Sequence, residues 1–129
     1  MNHPAIEQQI TFLYTQDLQA TARFYEDVIG LKMVLDQGTC RIYHIASGGY
    51  LGFCQIESLT DTHEDIIFTL VTPEVDQWHK YLRAKSVIIE KPPMHNLTYN
   101  IYHLTFRDPN GYLIEIQKFL DPGWDESTT

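Results

Sequence analysis

The side chains best suited to chemistry lie in and beside the stretch RDPNGYLIEIQKF, residues 107–119. Glu115 places a carboxylate in a segment that is otherwise apolar at almost every second position. Such a carboxylate can hold a metal ion, pair with a bound molecule, or simply face water. His103 lies on the preceding predicted strand and, like Glu115, can transfer a proton. Glu115 and His103 are therefore the candidates for acid–base chemistry.

The turn at residues 108–111 (DPNG) predicts which side chains accompany Glu115. This composition is typical of a type I turn whose left-handed glycine forms a bulge. The resulting register places Thr105 opposite Glu115 and His103 opposite Gln117. It separates an apolar face, fit to lie under a helix, from a more polar face that contains His103, Thr105, Leu113, Glu115 and Gln117. Two interpretations of the polar face are open: a solvated sheet surface and a concave binding surface.

The elements that position these side chains occur in a repeated order. ITFLYT (10–15) predicts a strand. Asp17 can cap a helix that runs to about Ile29, and Gly30 is suited to end it. Three predicted strands follow, LKMVLD, CRIYHIA and YLGFCQI, and the last two are joined by the hairpin turn Ser47-Gly48-Gly49.

The second half of the chain repeats this order. DIIFTLV (65–71) predicts a strand, and Thr72-Pro73-Glu74 opens a helix with a cap, a proline and an acidic residue. Val75, Trp78 and Leu82 form the predicted buried stripe of that helix. The predicted strands VIIEK, NIYHLTF and YLIEIQKF complete the repeat.

These elements predict an α+β fold made of two βαβββ repeats. The repeats occupy about residues 6–58 and 63–120 within a single domain spanning 1–121. We expect each repeat to form a curved mixed sheet with a helix on its outer face and the other face open. Residues 122–129 form a polar C-terminal tail.

Composition and charge narrow the classes of function. The 129-residue chain is 43% hydrophobic with a formal charge of −8, which indicates a globular domain. An acidic chain is unsuited to nucleic-acid backbones, whereas it favours a cationic small ligand. No apolar run is long enough to span a membrane, and the N-terminus lacks a secretion-signal pattern. We therefore expect a cytoplasmic protein with Cys40 and Cys54 as reduced thiols, and no nucleic-acid or membrane partner.

The duplicated plan, opened by QDLQATARFYEDVIGLK and closed by FRDPNGYLIEI, resembles the vicinal oxygen chelate superfamily. That superfamily includes glyoxalase I, extradiol dioxygenases, fosfomycin-resistance enzymes and bleomycin-resistance proteins. The resemblance spans about Ile6 to Phe119 and rests on DL…FYxxxxGL in the first half and DPxGYxIE in the last hairpin. It implies a cup enclosed by curved sheets and often completed by a second subunit, hence a homodimer.

In metal-using members, the resemblance implies a divalent ion held by residues of the first, fourth, fifth and eighth strands. The matching positions here are Ile10, Gly52, Asp65 or Ile66, and Glu115. Ile10 and Gly52 have no donor atom in their side chains, and one or two carboxylates hold a divalent ion weakly. We therefore expect no metal cofactor. The alternative is a non-standard metal site built from His63, Asp65, His103 and Glu115.

Strand alternation predicts the side chains that line the cup. The set is rich in aromatic rings with a few polar groups, which suits a flat or amphipathic organic ligand. The predicted ligand-binding residues are Phe12, Tyr14, Arg41, Tyr43, Tyr50, Cys54, His103, Thr105, Glu115 and Gln117. The competing interpretation is that some of these aromatic rings pack in a core or at a subunit interface.

Two main classes of function follow. The first is a metal-independent small-molecule binding protein, similar to bleomycin-resistance proteins, that sequesters a cationic or aromatic compound. The second is a lyase, isomerase or dioxygenase-like enzyme that uses a divergent metal site, or Glu115 and His103 as acid–base groups. A sensor or interaction module without chemistry is a third possibility.

Overall fold

The computed structural model describes residues 3–58, 63 and 65–124. The chain forms two compact units, which we call the first module (described up to residue 58) and the second module (described from residue 63). Each module contains one four-stranded mixed sheet and one helical segment. The predicted α+β fold of two βαβββ repeats is confirmed, with sheets that curl without closing.

Both modules pair their strands in the same way. The first module comprises β1 (Gln9–Thr15), α1 (Leu18–Arg23), a π-helical segment (Phe24–Ile29), β2 (Lys32–Asp36), β3 (Cys40–Ala46) and β4 (Gly49–Gln55). The second comprises β5 (Ile67–Val71), α2 (Val75–Ala84), β6 (Ile89–Asn96), β7 (Ile101–Arg107) and β8 (Leu113–Phe119). The sheet orders are β1-β4-β3-β2 and β5-β8-β7-β6. In each sheet the first strand runs parallel to the last, and the other pairs are antiparallel.

The first helical segment begins and ends where the sequence predicts. The Asp17 carboxylate accepts the N–H of Ala20 at 3.0 Å and caps α1. Gly30 ends the segment with a φ of 85°, a conformation that glycine adopts without a steric penalty. Phe24–Ile29 has π-helical hydrogen bonding, which differs from the expected α-helix.

The second helix begins later than the sequence predicts. The Thr72 hydroxyl accepts the N–H of Glu74 at 3.1 Å, and α2 starts at Val75. The proline therefore precedes the helix instead of occupying its first turn. Val75 and Leu82 are buried as predicted, whereas Trp78 is only partly buried.

The turn before β8 has the predicted geometry. Gly111 adopts a φ of 88°, the left-handed conformation. The Asp108 carboxylate accepts the backbone N–H groups of Asn110 and Tyr112, each at 2.9 Å. The backbone N–H of Asp108 in turn donates to the carbonyl of Tyr112 at 3.0 Å, which closes the bulged hairpin.

The predicted register of this hairpin is confirmed. Thr105 pairs with Glu115, and His103 pairs with Gln117. The apolar face of the hairpin is buried at Leu104, Phe106, Ile114 and Ile116. Because α2 contacts both β7 and β8, this apolar face is the helix-covered face, and the polar side chains lie on the other, open face.

Two predicted binding residues of β3 lie on the helix-covered face of the first sheet. Arg41 pairs with Phe53 and Tyr43 pairs with Leu51, and Tyr43 is completely buried. The cause is a bulge at Ile45, where the β3–β4 register shifts by one residue. A shift of one residue moves the side chains on the far side of the bulge from the turn, residues 40–44, to the opposite face. The prediction that Arg41 and Tyr43 line the open face is therefore wrong.

Tyr43 instead belongs to the aromatic core of the first module. Its hydroxyl donates to the Glu26 carboxylate at 3.0 Å. Its ring lies 6.3 Å from that of Tyr25, which in turn lies 4.7 Å from the ring of Phe53. Burial and the hydrogen bond to Glu26 raise the pKa of the Tyr43 hydroxyl far above its usual range.

The expectation of reduced thiols at Cys40 and Cys54 is also wrong, because the two residues form a disulfide. They are direct partners on β3 and β4, with their Cα atoms 4.1 Å apart. Opposed side chains of neighbouring strands lie on the same face and meet. The bulge at Ile45 also creates this pairing, since without it Arg41 would stand opposite Cys54. Cys54 has no free thiol in this state and is not a nucleophile.

Other boundaries differ by a few residues. β5 begins at Ile67, so Asp65 and Ile66 precede it, and β6 continues to Asn96 through Pro92-Pro93. Two prolines are tolerated there because β6 is an edge strand. No helix among the described residues is long and apolar enough to cross a membrane. The single domain over residues 1–121 stays a prediction, and residues 125–129 of the predicted tail lie outside the described residues.

Candidate functional site

Glu115 lies in the middle of β8 on the open face of the second sheet. Its Oε1 accepts a hydrogen bond from the Thr69 hydroxyl at 3.0 Å, and its Oε2 lies 2.6 Å from Nδ1 of His103. The side chains of Glu115 and His103 are only 16% and 13% exposed. Hydrogen bonds to a carboxylate are stronger than neutral ones, and shielding from water preserves that strength in the His103 contact, whereas Thr69 is exposed. We call Thr69, His103 and Glu115 the Glu115 cluster.

The Glu115 carboxylate fixes the orientation of the His103 ring. A carboxylate only accepts hydrogen bonds, so Nδ1 of His103 carries the proton in this contact. The second ring nitrogen, Nε2, has no hydrogen-bond partner among the described residues. In a neutral imidazole Nε2 accepts a hydrogen bond, and in a protonated one it donates. The cluster therefore presents one oriented nitrogen that can recognise a ligand or take up a proton.

Thr105 and Gln117 add two buried polar side chains to this face. Each is only 6% exposed. Thr105 lies directly beside Glu115, and Gln117 lies beside His103. Within the part of the chain that the structure describes, no side-chain hydrogen bond links either of them to another residue, and neither has a fully buried polar atom left without a partner. These groups are suited to bind polar atoms of a small molecule.

The sequence does not predict that Thr69 contacts Glu115. Strand alternation places it on the open face, but its neighbour depends on how β5 aligns with β8. In the structure β5 runs parallel to β8 and Thr69 pairs directly with Glu115. No local signal in the sequence specifies this alignment, because the two strands are joined only through the rest of the module.

The open face of the first sheet is aromatic instead of polar. Phe12 and Tyr14 are 50% and 55% exposed. The ring of Phe12 lies against Gly52, where an added methyl group would meet ring carbons at 2.6 Å. Tyr50 is close to this row, since it pairs with Ile10 across the same parallel ladder. This surface offers ring faces for stacking.

The structure thus divides the predicted ligand-binding residues into three sets. His103, Thr105, Glu115 and Gln117 lie together on the open face of the second sheet. Phe12, Tyr14, Tyr50 and Cys54 lie together on the open face of the first sheet. Arg41 and Tyr43 lie on the opposite face of the first sheet, and the Arg41 Nε is 3.8 Å from the Asp36 carboxylate.

The residues at the family's metal positions do not fit a divalent ion. Ile10 and Gly52 provide no donor atom, and the Phe12 ring covers Gly52. Asp65 is exposed in the turn before β5, and both Glu115 oxygens already have protein partners. In residues 3–58, 63 and 65–124, no three His, Cys, Asp or Glu side chains are close enough together to hold a metal ion.

The ring of His63 packs on a buried tyrosine. Its ring stacks on Tyr112 with a centroid distance of 4.0 Å and an interplanar angle of 26°. Tyr112 is buried, and Nε2 of His63 is buried without a hydrogen-bond partner. His63, Asp65, His103 and Glu115 are all described, and they form no metal-binding group.

Comparisons with solved structures agree with this fold. Lactoylglutathione lyase from Agrobacterium tumefaciens has 26% sequence identity and a TM-score of 0.74, covering 95% of this chain and 100% of its own. A glyoxalase/bleomycin resistance protein/dioxygenase from Nocardioides has 20% identity and a TM-score of 0.72. The match covers 95% of this chain and 89% of that protein's chain. An integron cassette protein from the Halifax Harbour sewage outfall metagenome has 17% identity and a TM-score of 0.76. The match covers 87% of this chain and 97% of that protein's chain. No curated protein matches the sequence.

The structural neighbours below 25% identity show the fold alone. The family assignment comes from the sequence, because a family model matches residues 2–116, which is most of the chain. The chain therefore belongs to the Glyoxalase/Bleomycin resistance protein/Dioxygenase superfamily.

Proposed function

We propose that this protein binds a small organic molecule on the open face of the second sheet without the help of a metal ion. The observation that carries the proposal is the 2.6 Å contact between His103 Nδ1 and Glu115 Oε2, supported by Thr69. Because Glu115 is held on both oxygens, its cluster is organised before any ligand arrives. Preorganised polar groups lose less free energy on binding than mobile ones.

The charges favour a cationic or aromatic compound as the ligand. Glu115 places an acidic group in the cluster, and the whole chain has a formal charge of −8. A cationic N–H group could donate to Nε2 of His103 and benefit from the adjacent carboxylate. Thr105 and Gln117 could then bind other polar atoms of the same compound.

A set of matched variants tests which groups hold the ligand. Flat aromatic cations such as ethidium and acriflavine are screened by thermal shift in the presence of EDTA, and the best compound is titrated calorimetrically. We expect Glu115→Gln and His103→Gln to weaken its binding by about tenfold each, since each removes a charge-assisted contact. Glu57→Gln, an exposed carboxylate in the first module, is the control and should bind normally. Equal binding by all four proteins would contradict the proposal.

The same contact favours a second candidate function, acid–base catalysis. An imidazole oriented by a carboxylate through one nitrogen can remove a proton with the other. A structural neighbour is a lactoylglutathione lyase, and a lyase or isomerase reaction on a small substrate would use such a proton transfer. A dioxygenase-like reaction would need a metal that the residues at the family's metal positions do not fit.

Turnover separates the two candidate functions. If the protein is an enzyme, Glu115→Gln and His103→Gln should lower kcat by about a hundredfold or more on a metabolite that wild type converts. For a binding protein, wild type should leave every stabilising compound chemically unchanged, as judged by mass spectrometry after overnight incubation. Conversion of a stabilising compound would replace the first candidate function by the second.

The assembly and location of the protein are part of the proposal. Members of the superfamily often complete their site with a second subunit, so a homodimer is expected. Analytical ultracentrifugation at micromolar concentration would test it, and a monomer would refute it. A cytoplasmic location is also part of the proposal, and fractionation of the native cells tests it. The Cys40–Cys54 disulfide is a bond that persists mainly in oxidising compartments, so recovery of the protein outside the cytoplasm would refute this part.

A further inference from the structure

The outer side of α2 has two perpendicular aromatic rings beside a carboxylate. The rings of Trp78 and Tyr81 have centroids 5.4 Å apart and planes inclined at 84°. Together with Glu74 and Gln77 they line a depression of about 260 Å³. We call these four residues the α2 corner. Nothing in the proposed function uses it.

Three of these side chains belong to α2, and Glu74 immediately precedes it. Residues three, four and seven apart lie on one side of an α-helix, and 74, 77, 78 and 81 have this spacing. Val75 and Leu82 anchor α2 to its sheet, with exposures of 1% and 0%. The corner therefore stands on a rigid element, which keeps the angle between its two rings.

The chemistry of the corner suits a cation with an apolar surface. The faces of Trp and Tyr rings attract positive charge, and the Lys85 Nζ already lies 5.8 Å from the centroid of the Tyr81 ring. The Glu74 carboxylate does not cap the helix and has no ion pair among the described residues. An ammonium group covered with methyl groups can contact both rings while its charge faces Glu74. A bare ammonium ion would retain its water more strongly and bind less well.

We propose that the α2 corner binds the trimethylammonium group of a small organic cation. This site lies on the outer side of the helix of the second module. It is independent of the open face of the sheet, where the proposed ligand of the Glu115 cluster binds. The proposal stands even if the Glu115 cluster binds nothing.

Choline and its neutral isostere 3,3-dimethyl-1-butanol give a direct test on the full chain. The two compounds have the same shape and differ in charge. Trp78 and Trp124 are the two tryptophans, so each indole N–H gives its own NMR signal. Trp124 stacks on Phe119 at 3.9 Å and serves as an internal reference. We expect choline to shift the Trp78 signal saturably, and the isostere to bind at least about threefold more weakly.

Variants locate the cation within the corner. Glu74→Gln and Tyr81→Leu should each weaken choline binding by about threefold or more, because they remove the carboxylate and one ring. Glu57→Gln and Tyr99→Leu change an exposed carboxylate and an exposed tyrosine elsewhere and should bind choline normally. Glu74→Gln alters an exposed side chain and should leave the fold intact. The proposal is overturned if Trp78 does not respond to choline, if the isostere binds equally well, or if Glu74→Gln binds like wild type.

Discussion

The open faces of the two sheets differ in chemistry although the two modules share one order of elements. The first sheet presents the exposed rings of Phe12 and Tyr14 and a disulfide. The second presents the Glu115 cluster with the buried polar side chains of Thr105 and Gln117. A repeated backbone plan therefore does not imply a repeated site. One face offers area for stacking, and the other offers hydrogen bonds and charge.

The two modules also join their antiparallel strands by different side-chain links. In the first, the Cys40–Cys54 bond connects β3 to β4 covalently. In the second, Arg107 on β7 pairs with Glu90 on β6, with an Nε–Oε2 distance of 2.8 Å. A covalent link and a partly exposed ion pair differ greatly in energy. Substitutions at these links and in the core therefore test the comparison.

Removal of the disulfide should cause the largest loss in the free energy of unfolding. Cys40→Ala/Cys54→Ala opens a short loop, and a loop of this size contributes about 3 kcal/mol to the free energy of unfolding. Urea denaturation followed by circular dichroism measures the loss. Wild type in excess phosphine reductant should lose a similar amount, whereas the reductant should not affect the double variant. An unchanged midpoint in both experiments would show that the bond contributes nothing to stability.

Tyr43→Phe should cause the second largest loss in the free energy of unfolding. It tests on which face of β3 the Tyr43 side chain lies. The substitution removes a buried hydroxyl that donates to Glu26 and should cost about 1.5 kcal/mol in the free energy of unfolding. Tyr50→Phe is the matched control, since the Tyr50 hydroxyl only accepts from exposed Gln8. It should cost close to nothing. Equal losses in the two variants would place Tyr43 back on the open face.

Loss of the Arg107–Glu90 ion pair of the second module should cause the smallest decrease in the free energy of unfolding. Arg107 lowers the pKa of Glu90, chiefly through a hydrogen bond to the carboxylate. A carboxyl group whose pKa is lower in the folded chain stabilises it above the pKa of the unfolded chain. That contribution disappears as the pH falls through the folded pKa.

Glu90→Gln measures this contribution. It should lower the free energy of unfolding by a few tenths of a kcal/mol at pH 7 because the pair is partly exposed. At a pH below the folded pKa of Glu90, the difference between the variant and wild type should vanish. A loss that persists there would point to packing as its cause.

Much of the fold follows from local sequence signals. The Asp17 cap, the Gly30 end and the DPNG turn each act through neighbouring residues, and all three behave as predicted. The turn then determines the β7–β8 register and places Thr105 beside Glu115. Helix caps and turns can be predicted from the sequence because their geometry is determined by residues that are neighbours in the chain.

The wrong predictions concern strands whose pairing register depends on packing with distant parts of the chain. The sequence predicts the hairpin at Ser47-Gly48-Gly49 but not the bulge at Ile45, because the bulge depends on the packing of both strands. That single residue moves Tyr43 into the core and brings Cys40 opposite Cys54. The contact of Thr69 with Glu115 depends in the same way on a parallel pairing between distant segments.

The central claim is that the Glu115 cluster recognises an organic ligand without a metal. Calorimetric titration of the best aromatic cation in EDTA, and again after loading with Zn²⁺, Ni²⁺ or Mn²⁺, tests this claim most directly. The account predicts one dissociation constant, the same within error in EDTA and with each metal. Binding that appears only after a metal is added would contradict it.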